Sequence, residues 1–210
     1  LNIVGLSIGL SACWVIYRIV SFDLSFDTQN PNREHIFRVV SRFTFDGQEQ
    51  GNPGSPAPMP YAVRREISGV DRAVPVLEER MERVLIPQKA GKARVFDDVK
   101  GVVLTDTNYF HLVPHRWLAG DVRQSLSRPN QVVLTESRAA QYFPGLTSQQ
   151  IVNRTVTNWD TINVQVAGVV ADLPYSSDFT GQEFLSVSTL NKTIDDIEWT
   201  NTNSSTQLFL

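Results

Sequence analysis

The sequence predicts an α+β protein in which an apolar N-terminal helix precedes a mixed domain whose strands are mainly antiparallel. Three observations favour this class. Residues 1–20 are apolar with few interruptions. Later segments alternate apolar and polar residues with the period of two that is typical of strands. The helical segments are too few for a regular alternation of strands and helices, which disfavours a parallel α/β sheet.

The first element, residues 1–20, is predicted to be a membrane-spanning helix. Its strongly polar residues are only Asn2, Ser7, Ser11 and Arg18, and a helix of this length spans about 30 Å, the thickness of a hydrocarbon core. Arg18 lies near one end, where its side chain can extend to the lipid headgroups. A signal peptide is disfavoured because Arg18 follows the apolar run instead of preceding it. A buried core helix remains the alternative.

Residues 21–33 form the second element, a polar stretch with interspersed Phe and Leu residues. We predict that it prolongs the helix and then turns at residues 30–32, where Asn flanks Pro on both sides. In a continuous helix, Phe22 and Phe26 would share one face because they are four residues apart. Such a helix would pass its movement rigidly to a strand that begins at Ile36; the alternative is that the two Phe rings only cover the underside of the domain.

Strands are predicted wherever the period changes to two. Residues 36–45 are the clearest case, with Phe37, Val39 and Phe43 on one face and Asp46-Gly47 as the turn that ends the strand. Pro and Gly residues make residues 51–60 a loop. Further strands are predicted at residues 70–78, 83–88, 95–99, 102–105, 132–134, 152–157, 163–170 and 184–187, with a hairpin turn at residues 89–92.

Short helices are predicted where a capping residue precedes an apolar segment. Thr135 caps the best defined of them, residues 136–143, which Pro144-Gly145 ends. Thr189 is the predicted cap of a last helix that extends to Ile197. Two further short helices are predicted at residues 61–67 and around residues 108–110.

Composition argues against several classes of function. The formal net charge is -3, whereas nucleic-acid-binding proteins usually carry a basic patch. Cys13 is the only cysteine, so the chain can form neither an internal disulfide nor a zinc site with several cysteine ligands.

No motif indicates catalysis, a cofactor or a metal. The phosphate-binding pattern G-x-x-x-x-G-K-[ST], the dinucleotide pattern G-x-G-x-x-G and the G-x-S-x-G elbow are all missing. His111 and His115 have helical spacing, but Pro114 would break that helix, so we interpret them as an incidental surface pair. The adjacent acids would point to opposite faces of a strand and are interpreted as solvated surface; they are Glu78-Glu79, Asp97-Asp98 and Asp195-Asp196. We therefore expect no catalytic, cofactor-binding or metal-binding residue and no enzymatic activity.

Five segments resemble, in the same order, the MacB/FtsX-like family of ABC transporter permeases, especially its Bacteroidetes-type members. They cover most of the chain, although residues 40–100 are not distinctive, and Pro114 and Arg116 replace the apolar or aromatic residues usual there. The segments are NIVGLSIGLSACWVI at 2–16, FDLSFDTQNPNREHIFRV at 22–39, NYFHLVPHRWLAGD at 108–121, PNQVVLTESRAAQYFPG at 129–145 and VAGVVADLPYSSDFTGQEFLSV at 166–187.

The resemblance implies the domain organisation and the location. Residues 1–26 would be the C-terminal part of a first transmembrane helix with its juxtamembrane extension. Residues 27–210 would be a MacB-like periplasmic domain, truncated at its C-terminal end. The protein would lie in the bacterial inner membrane, with residues after about Ser21 in the periplasm. We expect the chain to be cut from a longer protein, since it begins with Leu1.

The resemblance also implies a function and partners. The extracytoplasmic domain of such a permease couples ATP hydrolysis by a separate cytoplasmic ATPase to export, or to mechanotransmission, across the inner membrane. Its implied partners are that ATPase, a second permease in a homodimer or heterodimer, and a periplasmic adaptor in some systems; ATP would be bound only by the ATPase. The alternative is a membrane-anchored extracytoplasmic sensor or ligand-binding domain. Three further apolar spans downstream would favour the permease, and a kinase or cyclase region would favour the sensor.

Overall fold

The computed structural model describes residues 2–88, 91–190 and 199–210. It confirms the predicted class, a mixed α+β fold behind an N-terminal apolar helix. The α-helices are α1 (Asn2–Asp23), α2 (Met59–Glu66), α3 (Tyr109–Leu112), α4 (Glu136–Tyr142) and α5 (Ser148–Ile151), with 3-10 turns at Arg33–His35 and Val187–Leu190. The strands are β1 (Arg38–Val39), β2 (Ser41–Phe45), β3 (Gln48–Asn52), β4 (Val74–Ile86), β5 (Arg94–Thr105), β6 (Trp117–Gly120), β7 (Gln131–Thr135), β8 (Thr155–Asn158), β9 (Ile162–Val170), β10 (Glu183–Ser186) and β11 (Thr206–Phe209).

Helix α1 is apolar and lies outside the folded domain. The stretch Ile3–Asp23 is long and apolar enough to cross a membrane, and none of its most apolar window is buried. The hydroxyls of Ser7 and Ser11 each donate to a backbone carbonyl four residues earlier, at 2.8 Å. Such back-bonding satisfies a polar side chain within the helix, as an apolar environment requires.

The prediction that this helix is prolonged up to a turn at residues 30–32 is wrong, because α1 continues past residue 20 only to Asp23 and turns begin at Leu24. The hydroxyl of Ser25 donates to the carbonyl of Phe22 at 2.6 Å, and that of Thr28 donates to the carbonyl of Ser25 at 2.8 Å. These local bonds offer the backbone an alternative to the helix. Asp27 then adopts a left-handed conformation, with φ at 53°, which a right-handed helix does not admit.

Six strands of the domain pair in a closed ring. Going round it, β4 pairs with β5, β5 with β10, β10 with β7, β7 with β9, β9 with β8, and β8 returns to β4. Only the β5–β10 and β7–β9 pairs are parallel, so the prediction of a mainly antiparallel sheet is confirmed. β11 and then β1 extend the sheet beyond β4, and β6 extends it beyond β9.

Two apolar cores lie on opposite faces of these strands, because successive side chains alternate along each strand. Val132, Leu134 and Leu185 belong to one core, which α4 and α5 also cover. Val133 and Phe184 belong to the other core, together with the aromatic residues of α3. Phe179, from the loop before β10, also packs against the second core.

The structure corrects several predicted strand boundaries. The strands predicted at residues 70–78 and 83–88 are parts of one strand, β4, which begins only at Val74 and ends at Ile86; a bulge near Glu79 interrupts the alternation that the sequence shows. Likewise, residues 95–99 and 102–105 belong to the single strand β5. Short elements that were not predicted are β3, β6, β11 and α5. Two predicted elements lie largely outside the described residues. They are the turn at residues 89–92, of which residues 89 and 90 are not described, and the helix from Thr189 to Ile197, of which residues 191–197 are not described.

The predicted strand at residues 36–45 is divided and does not bury its apolar face. After β1 the chain leaves the large sheet, and β2 pairs only with β3 among the described strands. Phe43 and Phe45 are 44% and 68% exposed. The alternation identified a strand correctly, but periodicity alone does not say whether another element covers the apolar face.

A buried polar cluster lies on the α4 side of the ring. Glu183 is fully buried; its two carboxyl oxygens accept hydrogen bonds from the Tyr142 hydroxyl at 2.7 Å and from the Asn158 amide at 3.0 Å. The guanidinium of Arg138 lies over the Tyr142 ring, 5.5 Å from its centroid. Burial raises the pKa of the Glu183 carboxyl above its ordinary value of 4.5, outweighing these hydrogen bonds and the nearby Arg138 charge.

We predict that Glu183→Gln reduces the pH dependence of stability. Above pH 4.5 the unfolded chain releases the Glu183 proton while the folded domain retains it. The free energy of unfolding of the natural protein therefore falls as pH rises from 4.5 to the folded pKa. Gln imitates the neutral carboxyl, so the variant should gain stability relative to the natural protein as pH rises above 4.5, measured by urea unfolding in detergent.

The control for this prediction is Glu183→Ala, which also lacks the titrating carboxyl but should be about 1–3 kcal/mol less stable than Glu183→Gln at every pH, because it leaves the partners of the carboxyl unsatisfied. Equal pH profiles for the glutamine variant and the natural protein would refute the prediction.

Candidate functional site

The junction between α1 and the domain is the candidate functional site, and Asp27 is its first anchor. Its carboxylate accepts hydrogen bonds from the Ser177 hydroxyl, through Oδ1, and from the backbone N–H of Asp178 at 3.1 Å, through Oδ2. Its own N–H donates to the carbonyl of Ser176 at 3.0 Å. Asp27 therefore binds three consecutive residues of a loop that is 150 residues away in the sequence.

Asn30 is the second anchor, and it is almost fully buried. Its amide group donates to the carbonyl of Leu112 at 3.0 Å, and its side-chain oxygen accepts from the N–H of Asn32 at 3.0 Å. Asn32 in turn donates to the carbonyl of His111 at 2.8 Å. The last carbonyls of a helix lack partners within it, so the two Asn side chains satisfy the C-terminal end of α3.

Aromatic packing holds both anchored loops against the second core. The ring of Tyr109, in α3, lies 4.8 Å from the Phe184 ring and 6.2 Å from the Phe179 ring, measured between centroids. Phe179 also packs on Phe209 of β11, at 5.2 Å. Burial raises the pKa of the Tyr109 hydroxyl, so that residue stays neutral. The loops that receive the two anchors are thus fixed to the body of the domain.

A groove of about 910 Å³ borders the junction. Asp27 and Phe179 line it, and Val103 and Phe209 contribute apolar surface from the strands. Its lining also includes charged residues of both signs, among them Glu79, whose pKa is raised by partial burial. The juxtamembrane segment contributes Asp27, Asn30 and Arg33 to the lining of this groove, together with residues of β4, β5 and β11.

The structure separates the two histidines whose spacing suggested a shared face. α3 ends at Leu112, before Pro114, and leaves His111 exposed on its last turn. His115 is half-buried; its Nδ1 lies 3.0 Å from the Ala171 carbonyl oxygen, and burial lowers its pKa. Among the described residues, no group of three or more His, Cys, Asp or Glu side chains could hold a metal ion. The expectation of no catalytic, cofactor-binding or metal-binding residue stays a prediction.

The structure describes two of the three adjacent pairs of acids, and both lie on the exposed surface, as the sequence predicted. Asp97 and Asp98 are exposed on β5 and pair with Arg83 and Arg80 of β4. Glu78 and Glu79 are also exposed, although both line the groove. Residues 195 and 196 are outside the described residues. These pairs therefore do not assemble a common acid–base site.

Sequence reasoning missed the anchors themselves, yet a signal for them was present. Three of the five segments that carry the family resemblance meet at the junction. Asp27 and Asn30 lie in the segment 22–39, Leu112 lies in 108–121, and Ser177 lies in 166–187. Segments that are distant in the sequence but resemble the same family are candidates for contact in the folded domain. This criterion needs no secondary-structure prediction.

Comparison with known proteins identifies the family of this fold. The family model described as MacB-like periplasmic core domain matches residues 1–208. None of the curated proteins matches the sequence significantly.

Three solved structures share the fold at low sequence identity. A domain of a putative permease protein from Porphyromonas gingivalis has a TM-score of 0.67 at 15% identity, covering 85% of this chain and 73% of that chain. The extracellular domain of the noncanonic ABC-type transporter YknZ from Gram-positive bacteria has a TM-score of 0.51 at 14% identity, covering 83% and 81%. The periplasmic region of MacB from Actinobacillus actinomycetemcomitans has a TM-score of 0.50 at 15% identity, covering 70% and 60%.

We predict that Asn30→Ala destabilises the domain more than Asn32→Ala. Asn30 is buried, so its loss leaves the Leu112 carbonyl without its donor and costs about 1–3 kcal/mol. Asn32 is exposed, so water can replace its bond to His111. Thermal unfolding of the two variants, followed by circular dichroism in detergent, measures the difference. Equal melting temperatures would show that the buried bond contributes nothing specific.

Proposed function

The chain belongs to the MacB-like periplasmic core domain family, and on that premise we propose that it is the extracytoplasmic part of an ABC transporter permease subunit. In this proposal a separate ATPase on the cytoplasmic side binds and hydrolyses ATP. The permease carries the resulting movement across the membrane through α1 and its companion helices. The domain itself performs no bond-breaking chemistry.

The observation that carries the proposal is the arrangement at the junction. An exposed apolar helix, about 33 Å long at 1.5 Å per residue, leads directly into a segment that is hydrogen-bonded to two loops of the domain. A helix of this kind can transmit movement only if its end is fixed to the body that moves. The anchors at Asp27 and Asn30 supply that fixation.

We propose that α1 lies in a bacterial inner membrane and that residues after about Ser21 lie in the periplasm. The length and exposure of α1 fit a membrane-anchored protein, and two of the similar structures are the periplasmic region of MacB and the extracellular domain of YknZ. The proposed partners are the ATPase, a second permease subunit and, where the system has one, a periplasmic adaptor. Export of a substrate and transmission of force to an external partner are both compatible with this arrangement.

We predict that α1 determines whether the protein needs detergent. A polypeptide that begins at Ser21 should stay in solution after ultracentrifugation, because the exposed apolar surface of the helix has been removed. The polypeptide that begins at Leu1 should sediment with membranes and require detergent. Equal solubility of the two without detergent would rule out a membrane helix.

The full-length protein tests the proposed function directly. Purified in detergent from a host that also expresses the ATPase, it should retain that subunit and hydrolyse ATP in a vanadate-sensitive manner. MgATP should raise the melting temperature of the ATPase but leave that of the polypeptide 27–210 unchanged, since only a ligand that binds the native state stabilises it. A reproducible upward shift for polypeptide 27–210, or loss of the ATPase at every detergent concentration, would contradict the proposal.

A further inference from the structure

We propose that Asp27 is the positioning residue through which movement of α1 enters the domain, an inference that rests on the proposed function. The three bonds between Asp27 and residues 176–178, together with the Asn30 bond to Leu112, form what we call the juxtamembrane clamp. Coupling then depends on this clamp and not on a helix that continues into the first strand.

The first step of the argument is that a continuous lever does not exist. α1 ends at Asp23, and the residues from Leu24 to Gln29 form turns. A turn of exposed residues would bend under load unless something fixed it. Phe22 and Phe26 brace it on one side, with their rings edge to face and 5.2 Å between centroids.

The second step is that Asp27 fixes the orientation of the turn as well as its position. Its carboxylate accepts two bonds from different groups, and its N–H makes a third bond to the same loop. Hydrogen bonds to an ionised carboxylate are stronger than those between neutral groups. Three bonds from one residue, held in a left-handed conformation, leave it little freedom to rotate about any one of them.

The third step is that both halves of the clamp lead to neighbouring strands. The loop that Asp27 holds runs through Phe179 and Gly181 into β10, and a Cβ added at Gly181 would lie 2.6 Å from the Phe184 ring, so this connection is tightly packed. The helix that Asn30 holds, α3, follows β5. β5 and β10 are paired in parallel in the ring, Val103 opposite Phe184. Movement at the clamp therefore reaches the ring through one pair of adjacent strands.

The test uses the full-length permease with its ATPase in lipid nanodiscs. The variants are Asp27→Ala, Ser177→Ala and the matched control Asp23→Ala, one helical turn earlier, whose side chain makes no hydrogen bond within the described part of the chain. Asp27→Asn is a milder variant, because its carbonyl oxygen can still accept from the N–H of Asp178 while its amide donates to the Ser177 hydroxyl. If Asp27→Ala does not fold, which melting temperatures reveal, Ser177→Ala decides the matter, since it removes only the hydroxyl that donates to Asp27.

The first measurement tests, independently of transport, whether the clamp holds the end of α1 in a fixed position relative to the domain. Nitroxide labels replace Ser21 and the exposed Val95 of β5, with Cys13→Ala as background, and pulsed EPR gives the distribution of distances between them. The distribution should be narrow in the natural protein and in Asp23→Ala, and broad in Asp27→Ala and Ser177→Ala. A narrow distribution in Asp27→Ala would overturn the clamp.

The second measurement tests whether movement that ATP causes in the membrane part reaches the domain. Amide hydrogen exchange of residues 108–113 and 176–185 is compared with and without ATP. The ATP-dependent change should fall about tenfold in Asp27→Ala, as expected for losing bonds to a charged group, and should persist in Asp23→Ala while both variants still hydrolyse ATP. A change that persists in Asp27→Ala overturns the present inference alone. The lack of any change in the natural protein would instead overturn the proposed function, and this inference with it.

Discussion

The closure of the strand ring by β8 is the constraint on which the rest of the structure depends. This four-residue strand pairs with β4 on one side and with β9 on the other. Because the ring is closed, each of its six strands is paired on both sides. Closure also fixes which side chains point to each core. α3 and the loop before β10 both pack on the second core. The two anchors from the juxtamembrane segment meet the domain there.

Local chemistry explains which elements the sequence could predict. The side chain of Thr135 accepts from the N–H of Arg138 as expected of a cap, and α4 follows. The long apolar segment that forms α1 could also be recognised from the sequence. β11 and β6 have only four residues each, and β11 is defined by pairing with residues far earlier in the chain, Val74 to Leu77. The helix end at Asp23 was missed because the Ser25 and Thr28 hydroxyls, not apolar periodicity, decide the backbone there.

The candidate site was less predictable than the fold, since its side-chain bonds join residues 82 and 150 positions apart. Other residues in the family-like segments have plainly structural roles. A Cβ at Gly168 would lie 2.4 Å from the Trp117 ring, and Gly120 has a left-handed φ of 88°. The Asp172 carboxylate accepts from the N–H and the hydroxyl of Ser137 in the first turn of α4. Some of the residues in the family-like segments therefore serve the architecture of the domain and not the junction.

The β2–β3 hairpin stands apart from these constraints. Its tip, Asp46-Gly47, has left-handed φ at both residues, 51° and 75°, as a two-residue hairpin turn requires. Most of its residues are exposed, and it pairs with no strand of the large sheet in the described part of the chain. Sequence can be added at this tip without entering either core or straining the ring. It is the natural place to insert an epitope or a fluorescent protein into the molecule, and the region where related chains can differ in length most freely.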